Sequence, residues 1–327
     1  MAESIQRNLA LELVRVTEAA ALAAGVWMGR GDKIAADGAA VDAMRAALAR
    51  IDMDGVVVIG EGEKDEAPML YIGEEIGNGQ PPQVDIAVDP IDGTRLLSQG
   101  MPGAVAVVAL ANRGTMYSAP PGVFYMNKIA VGREARGVID ITKSVADNVA
   151  AVCSALGREE GNITVIVLDR PRHEQLISEI RETGARVRLI PDGDVGGAIA
   201  AAEETMSGVD MLMGIGGAPE AVITACALKA MGGDLQCKLY YKDEAERKRM
   251  EDMGVNPDLV LTIDDLVKGD DVFFAATGIT DGELLRGVRY GAGRATTESV
   301  VMRSKSGTIR YMRAMHHVGK VASILDF

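Results

Sequence analysis

Residues 83–95, QVDIAVDPIDGTR, join an apolar segment to two carboxylates, a glycine and a threonine. The valine and isoleucine content of the apolar segment predicts a buried β-strand. Pro90 biases Asp89 toward an extended conformation and removes a ladder donor, so we expect the strand to end at Asp89. Asp89 and Asp92 should then emerge together at its carboxyl end.

Two carboxylates at the mouth of a buried strand repel each other and lose hydration. A divalent cation between them relieves both penalties, and carboxylate oxygens suit hard cations such as Mg²⁺ or Mn²⁺. Asp89 and Asp92 are therefore candidate metal ligands. The alternative interpretation of the same residues is a proline-containing type I turn without a ligand.

Two further acidic loops lie close by in the chain. The segment GEGEKDEAP follows another predicted strand and carries four carboxylates: Glu61, Glu63, Asp65 and Glu66. The segment RGDKIAADG places Asp32 and Asp37 just before a predicted helix. Taken singly, the first could be a solvated turn, and Asp37 a helix cap. Three acidic loops in one region favour a metal site.

The candidate ligands are all oxygen atoms, since His173, His316 and His317 are interpreted as structural. Two metals bridged by carboxylates could clamp a phosphoryl group and lower the pKa of a bound water. The Thr94 hydroxyl could orient that water, and Asp65 is a weaker candidate for accepting its proton.

Composition excludes several classes of function. The 327 residues are 48% hydrophobic and 25% charged, enough for a sizeable core and two closely joined domains. Lys and Arg number 34 against 47 Asp and Glu, so the net charge of −13 disfavours nucleic acid as a partner. No apolar run approaches the roughly 20 residues that span a bilayer. The N-terminal segment lacks a signal-peptide pattern and the three cysteines form no CxxC pair, so we expect a cytoplasmic protein without membrane contact.

The order of the predicted helices and strands indicates two domains of an α/β (α+β) protein. Helices at about 4–28 and 38–51 and several strands form a metal-binding α+β domain over 1–160. From residue 162 strands and helices alternate, which favours parallel strands with crossover helices. We assign 161–327 to an α/β substrate-binding domain, with the boundary in LGREEGN.

Three consecutive predicted strands of the second half end in charged or glycine-rich motifs. The motifs are LDRPRH, IPDGDV and GIGGAPE, with charged residues Arg170, Arg172, Asp192, Asp194 and Glu220. Arginine forks suit phosphate, aspartates suit sugar hydroxyls, and a helix start after glycines suits an anion. Pro219 breaks the GxGxxG pattern, which disfavours a dinucleotide. Ligands of open α/β sheets lie at the carboxyl ends of strands, so the motifs together predict a phosphosugar pocket. Each motif alone could equally be an exposed ion pair or a turn.

The whole set of motifs resembles the class II fructose-1,6-bisphosphatases of bacteria, a branch of the inositol monophosphatase and fructose bisphosphatase superfamily. The motifs are, in order, GRGDK…ADGAAVDAM, VVIGEGEKDEAPMLYIGEE, VDPIDGT, FYMNK, DRPRH, PDGDV and GIGGAPE. The resemblance implies a layered αβαβα sugar phosphatase fold with mixed sheets and a homo-oligomer, either dimer or tetramer. It also implies Mg²⁺- or Mn²⁺-dependent hydrolysis of the 1-phosphate of fructose 1,6-bisphosphate, giving fructose 6-phosphate in gluconeogenesis.

The resemblance also implies roles for individual residues. The metal ligands fall on Asp37, Glu61, Asp89, Asp92 and Glu220. Substrate contacts fall on Asp92, Gly93, Thr94, Tyr125, Arg170, Pro171, Arg172, Asp192, Gly193, Asp194 and Gly217. Thr94 helps to activate the water, with Lys33, Glu63 and Asp65 in supporting roles. Some members have glutamate where this chain has Asp92, a difference in reach that could change the metal spacing.

Three alternatives stay open at this point. The enzyme could also accept sedoheptulose 1,7-bisphosphate, since the motifs do not separate six-carbon from seven-carbon substrates. It could take an inositol phosphate or a phosphoadenosine compound with the same metal chemistry. A non-catalytic phosphosugar-binding regulatory protein is the third alternative, but it should lack a metal ligand or Thr94, and this chain keeps both.

Overall fold

The computed structural model describes residues 8–60, 70–120, 123–203 and 207–325. The chain divides into two compact units. The first unit holds the residues up to Met116 and those from Gly269 onward, and the second unit is Tyr117–Lys268. This division differs from the predicted single boundary at residue 160, because the chain returns to the first unit after the second is complete.

The described residues form the following helices and strands. The helices are α1 (Leu9–Gly25), α2 (Lys33–Leu48), α3 (Thr94–Gln99), α4 (Val145–Leu156), α5 (Glu174–Glu182), α6 (Asp194–Ala202), α7 (Ala218–Met231), α8 (Glu244–Asp252), α9 (Ile263–Leu266) and α10 (Val318–Leu325). The strands are β1 (Asp54–Ile59), β2 (Glu75–Ile76), β3 (Gln83–Asp92), β4 (Val105–Asn112), β5 (Tyr125–Val131), β6 (Thr164–Leu168), β7 (Arg186–Ile190), β8 (Met211–Gly217), β9 (Asp234–Leu239), β10 (Val260–Thr262), β11 (Phe273–Gly278), β12 (Arg289–Gly291), β13 (Arg294–Arg303) and β14 (Thr308–His317).

The first unit is built on a mixed sheet. Over the described residues its order is β12-β13-β11-β4-β3-β1-β2, with β14 paired to β13. Strand β1 runs parallel to β3, whereas β4 pairs antiparallel with both β3 and β11. The pairing of β11 with β4 brings the chain back to this sheet after the second unit. Helices α1 and α2 pack on each other, and α1 also contacts β11 and β13. Leu13, Met44 and Phe273 are fully buried in this core.

The second unit has a sheet of its own. Over the described residues its order is β10-β9-β5-β8-β6-β7. Strands β6, β7 and β8 are parallel, as the alternating pattern predicts, but β5 pairs antiparallel with both β8 and β9. One face of the sheet packs on α4 and α5 through residues such as Ile129, Val149 and Ile180. Helices α6 and α7 contact β5 as well. The predicted class, an α/β protein with mixed sheets, is confirmed.

Strand β3 does not end at Asp89, and that prediction is wrong. The strand continues to Asp92 through an irregularity in which Asp89 lies opposite Val107 and Asp92 lies opposite Val105. The pairing of β1 with β3 reaches only Ala87 in the described residues. Pro90 therefore lies in a bulge, where neither ladder uses the hydrogen-bond donor that proline lacks.

No helix in the described ranges is long and apolar enough to cross a membrane.

Candidate active site

The bulge in β3 brings two predicted metal ligands to the same face of the sheet. Directly opposed residues of paired strands share a face, and Val105 and Val107 are two positions apart, so they share one as well. Asp89 and Asp92 therefore lie on one face, although three residues apart in a regular strand would put them on opposite faces. Asp89 Oδ1 also accepts a hydrogen bond from the Ile91 N–H at 3.0 Å. The extra residue in the bulge of β3 is thus what places the two carboxylates on one face.

Thr94 follows these carboxylates directly. Gly93 has φ +92°, a left-handed conformation that side chains other than glycine rarely adopt, and it turns the chain into α3. The Thr94 hydroxyl, Oγ1, lies 3.1 Å from the Ile91 carbonyl oxygen. The Thr94 hydroxyl is also close enough to the Asp37 carboxylate to oppose the rise in the pKa of Asp37. The predicted catalytic hydroxyl and a predicted metal ligand are therefore neighbours.

Asp37 lies inside α2, and Asp32 is the residue that caps this helix. Asp32 accepts a hydrogen bond from the Ala35 N–H at 3.0 Å, so the cap interpretation of Asp37 does not hold. Burial raises the pKa of Asp37, while the Thr94 hydroxyl and the Lys33 charge oppose that rise. Asp37 Oδ1 is buried and accepts no hydrogen bond from the described residues. An orphaned carboxylate oxygen of this kind fits a site that holds a cation.

The other predicted catalytic and metal-binding residues of the first unit are either exposed or outside the described residues. Lys33 is the exposed first residue of α2 and acts on Asp37 only through its charge. Glu61, Glu63 and Asp65 fall in residues 61–69, which lie outside the described residues, as does Glu66. Within the described ranges no three His, Cys, Asp or Glu side chains form a group that could hold a metal ion. The complete predicted ligand set thus stays a prediction.

The second unit gathers the phosphosugar motifs at one edge of its sheet. Strands β6, β7 and β8 are parallel, so their carboxyl ends lie at the same edge. Strand β5 runs the other way, and its first residue, Tyr125, is paired with Gly217 at the end of β8. The motifs that follow β6, β7 and β8 therefore lie at the same sheet edge as the start of β5.

Arginines line this edge. Arg170 donates to the Pro191 carbonyl and pairs with Asp192 at 3.1 Å from Nη2 to Oδ1. Arg172 donates to the Ile215 carbonyl from Nη2 at 2.8 Å, and its guanidinium lies 5.2 Å from the centre of the exposed Tyr125 ring. Pro171 lies between the two arginines and begins a short 3-10 turn that runs to His173. Both arginines are anchored, which limits the entropy lost on binding an anion.

His173 is structural, as the sequence analysis interprets it. Its Nδ1 is 2.7 Å from the Leu168 carbonyl oxygen, and its Nε2 accepts the Ile215 N–H at 2.7 Å. The ring must be neutral to accept this second bond, so Nδ1 carries the proton and donates to Leu168. Burial lowers the pKa of His173, which keeps the ring neutral. The imidazole thereby joins the end of β6 to the end of β8.

Asp194 has a partner that the sequence analysis did not single out, Lys128 of β5. Gly193, with φ +81°, starts α6 and directs the chain so that Asp194 begins the helix. Lys128 Nζ lies 2.6 Å from Asp194 Oδ2, and both side chains are almost fully buried. Burial lowers the pKa of Lys128, but Asp194 and Glu220 together raise it above its usual value, so it stays an ammonium group. In the sequence Lys128 is the last residue of the FYMNK motif and the one charged residue of the run YMNKIAV.

Glycines make room for these charged side chains. A Cβ at position 216 would overlap Asp194 Oδ2 and lie 3.0 Å from Lys128 Nζ, and a Cβ at 217 would overlap the Glu220 carboxylate. The GIGG segment, interpreted from sequence as an anion-binding turn, thus has a packing requirement too. Burial raises the pKa of Glu220, with Asp194 adding to the rise and Lys128 opposing it. Glu220 Oε2 is buried and accepts no hydrogen bond from the described residues, as for Asp37 Oδ1.

Candidate oxygen ligands lie at the bulge of β3 in the first unit, and arginines and aspartates lie at one sheet edge of the second unit. The chemistry of these side chains is what the sequence predicts for a protein that binds a phosphorylated sugar. The sequence model of one family, described as bacterial fructose-1,6-bisphosphatase, glpX-encoded, matches residues 7–316. An Escherichia coli K12 protein named fructose-1,6-bisphosphatase 1 class 2 is 45% identical over 329 residues, covering 97% of each chain. A Shigella flexneri protein named fructose-1,6-bisphosphatase class 2 shows the same identity and coverage. The chain belongs to this glpX-encoded family of bacterial fructose-1,6-bisphosphatases.

Proposed function

We propose that this protein is a divalent-metal-dependent phosphatase that hydrolyses the 1-phosphate of fructose 1,6-bisphosphate, with Mg²⁺ or Mn²⁺ as the cation. Family membership supports the reaction. The single structural observation that carries the proposal is the sheet edge of the second unit, where Arg170 and Arg172 stand beside Asp192 and Asp194. At such an edge arginine side chains can bind phosphate, and carboxylates can accept hydrogen bonds from sugar hydroxyls.

The family resemblance assigns the metal to five carboxylates: Asp37, Glu61, Asp89, Asp92 and Glu220. The orphaned oxygens of Asp37 and Glu220 and the shared face of Asp89 and Asp92 support this assignment. When bound, the cation would polarise the phosphoryl group and make a coordinated water more acidic.

The residues of the chain would contribute to the reaction as follows. The Thr94 hydroxyl, held near Ile91 O and Asp37, would orient the attacking water. Asp65 would accept the proton of that water, with Lys33 and Glu63 supporting the charge balance. Preorganised groups of this kind lower the barrier without further reorganisation.

Residues that the family resemblance assigns to substrate binding are found in each unit. Asp92, Gly93 and Thr94 of the first unit would contact the transferred phosphate. In the second unit the two arginines would bind phosphate, the Tyr125 ring would cover the sugar, and Asp192 and Asp194 would accept hydroxyl hydrogens. Pro171, Gly193 and Gly217 set the backbone on which these groups stand. A homo-oligomer and a cytoplasmic location stay predictions from the sequence.

The test is phosphate release from fructose 1,6-bisphosphate by the purified protein with Mn²⁺ or Mg²⁺, repeated with excess EDTA. Turnover that requires added metal and stops with EDTA is the expected result. The same assay on sedoheptulose 1,7-bisphosphate and on inositol monophosphate measures substrate range. Absence of turnover on fructose 1,6-bisphosphate with either cation would contradict the proposal.

A further inference from the structure

Lys128 is a charged residue in the middle of a central strand. Strand β5 lies between β8 and β9, and Lys128 is paired with Gly214 on one side and Cys237 on the other. Its neighbour Ile129 faces the apolar core formed with α4 and α5. Side chains alternate along a strand, so Lys128 lies on the opposite face, where α6 supplies Asp194.

A buried ammonium group is costly unless it is paired. The Lys128 side chain is 2% exposed and that of Asp194 is 9% exposed, with Nζ and Oδ2 at 2.6 Å. The second oxygen of Asp194, Oδ1, accepts no hydrogen bond from the described residues. One carboxylate oxygen is therefore bound to the interior, and the other remains available to a ligand.

The backbone is adapted to this pair. The absence of a side chain at Gly216 leaves the space that Asp194 Oδ2 and Lys128 Nζ occupy. Asp194 begins α6, so its position also depends on where that helix starts. Three separate parts of the second unit, β5, the start of α6 and the end of β8, thus meet at one ion pair.

We propose that Lys128 is a positioning residue for substrate binding, which holds the Asp194 carboxylate so that its free oxygen accepts a hydrogen bond from a sugar hydroxyl. The ammonium group itself is too buried to touch the substrate, and its hydrogen bond is to Asp194. This inference rests on the proposed function, because it assigns the neighbouring pocket to a phosphorylated sugar.

The experiment compares four variants in the steady-state assay with fructose 1,6-bisphosphate. They are Lys128→Met, Asp194→Asn, the double variant and the control Lys238→Met. Methionine keeps most of the length of lysine without its charge. Lys238 lies on the adjacent strand β9, directly opposite Asn127, and pairs with Asp258 at 3.5 Å. It therefore controls for removing a lysine from the same sheet outside the pocket.

We expect Lys128→Met to raise KM by about tenfold to a hundredfold, as when a hydrogen bond to a charged group is lost, with kcat within about threefold of wild type. Asp194→Asn should raise KM similarly. The double variant should be no worse than the poorer single variant, because both changes remove one contact. Lys238→Met should keep both constants. If Lys128 had only a structural role, Lys128→Met would lower the melting temperature without raising KM selectively over kcat.

Two results would overturn the inference while leaving the proposed function intact: an unchanged KM in Lys128→Met, or losses that multiply in the double variant. If Lys128→Met does not fold, the comparison of Asp194→Asn with the double variant decides. Removing both charges leaves neither partner buried alone. An equal KM in these two variants supports a role through Asp194, and a higher KM in the double variant contradicts it. Absence of turnover in the wild type would instead contradict the proposed function.

Discussion

Asp37 of the first unit and Asp194 of the second are both partly or largely buried, but their carboxylates have different partners. Asp194 has an internal ammonium partner at 2.6 Å. Asp37 has a buried oxygen without a hydrogen-bond donor among the described residues, and burial raises its pKa. A carboxylate that the fold already neutralises is suited to binding a neutral hydroxyl. One that the fold stabilises only in part is suited to a cation supplied from outside.

The strongest test of this difference is Thr94→Ala, which removes the hydroxyl beside Asp37. We expect kcat to fall by about 10²- to 10³-fold, the usual cost of removing one preorganised hydrogen-bonding group at the reacting centre, with little change in substrate affinity. Ser98→Ala is a matched control, since Ser98 lies in the same helix and donates to the Arg95 carbonyl at 3.0 Å. If affinity fell in parallel while turnover survived, Thr94 would be a binding residue instead.

Asp37→Asn tests the carboxylate itself. It should weaken Mn²⁺ binding, measured by calorimetry, by at least about 10- to 100-fold, because a direct ligand should matter no less than its outer-shell partners. The control is Asp32→Asn in the same helix, since asparagine caps a helix as well as aspartate does. Mn²⁺ affinity equal to that of wild type in Asp37→Asn would remove this residue from the metal site.

The smallest expected effect belongs to the arginine side of the pocket. Arg172→Gln should raise KM by about tenfold, the loss of one charge-assisted hydrogen bond to phosphate. The paired change Arg186→Gln, on an exposed arginine that donates to the Asn162 carbonyl at 2.9 Å, should leave KM unaltered. If Arg172→Gln and Arg186→Gln had the same KM, the arginines after β6 would not be phosphate ligands.

Much of the fold is predicted from local sequence patterns, and each feature that was not predicted has an identifiable cause. The strand before Asp89, the alternation after residue 162 and the placement of motifs at strand ends are all predicted. The end of β3 is not, because a proline can be accommodated by a bulge that depends on the register of β4. The domain boundary is also not predicted, since no local feature of β11 reveals that it pairs with β4.

By itself the sequence determines the chemical character of this protein, because ligand preference belongs to individual side chains. Clustered carboxylates indicate a hard cation, and arginines beside aspartates indicate a phosphorylated sugar. Tertiary structure alone decides which charges are compensated internally. Lys128 and Asp194 are 66 residues apart, and a lysine in a strand looks the same in sequence whether it is solvated or buried against a carboxylate. Burial and pairing arise only when distant strands and helices pack together, so this difference between Asp194 and Asp37 exists only in the folded chain.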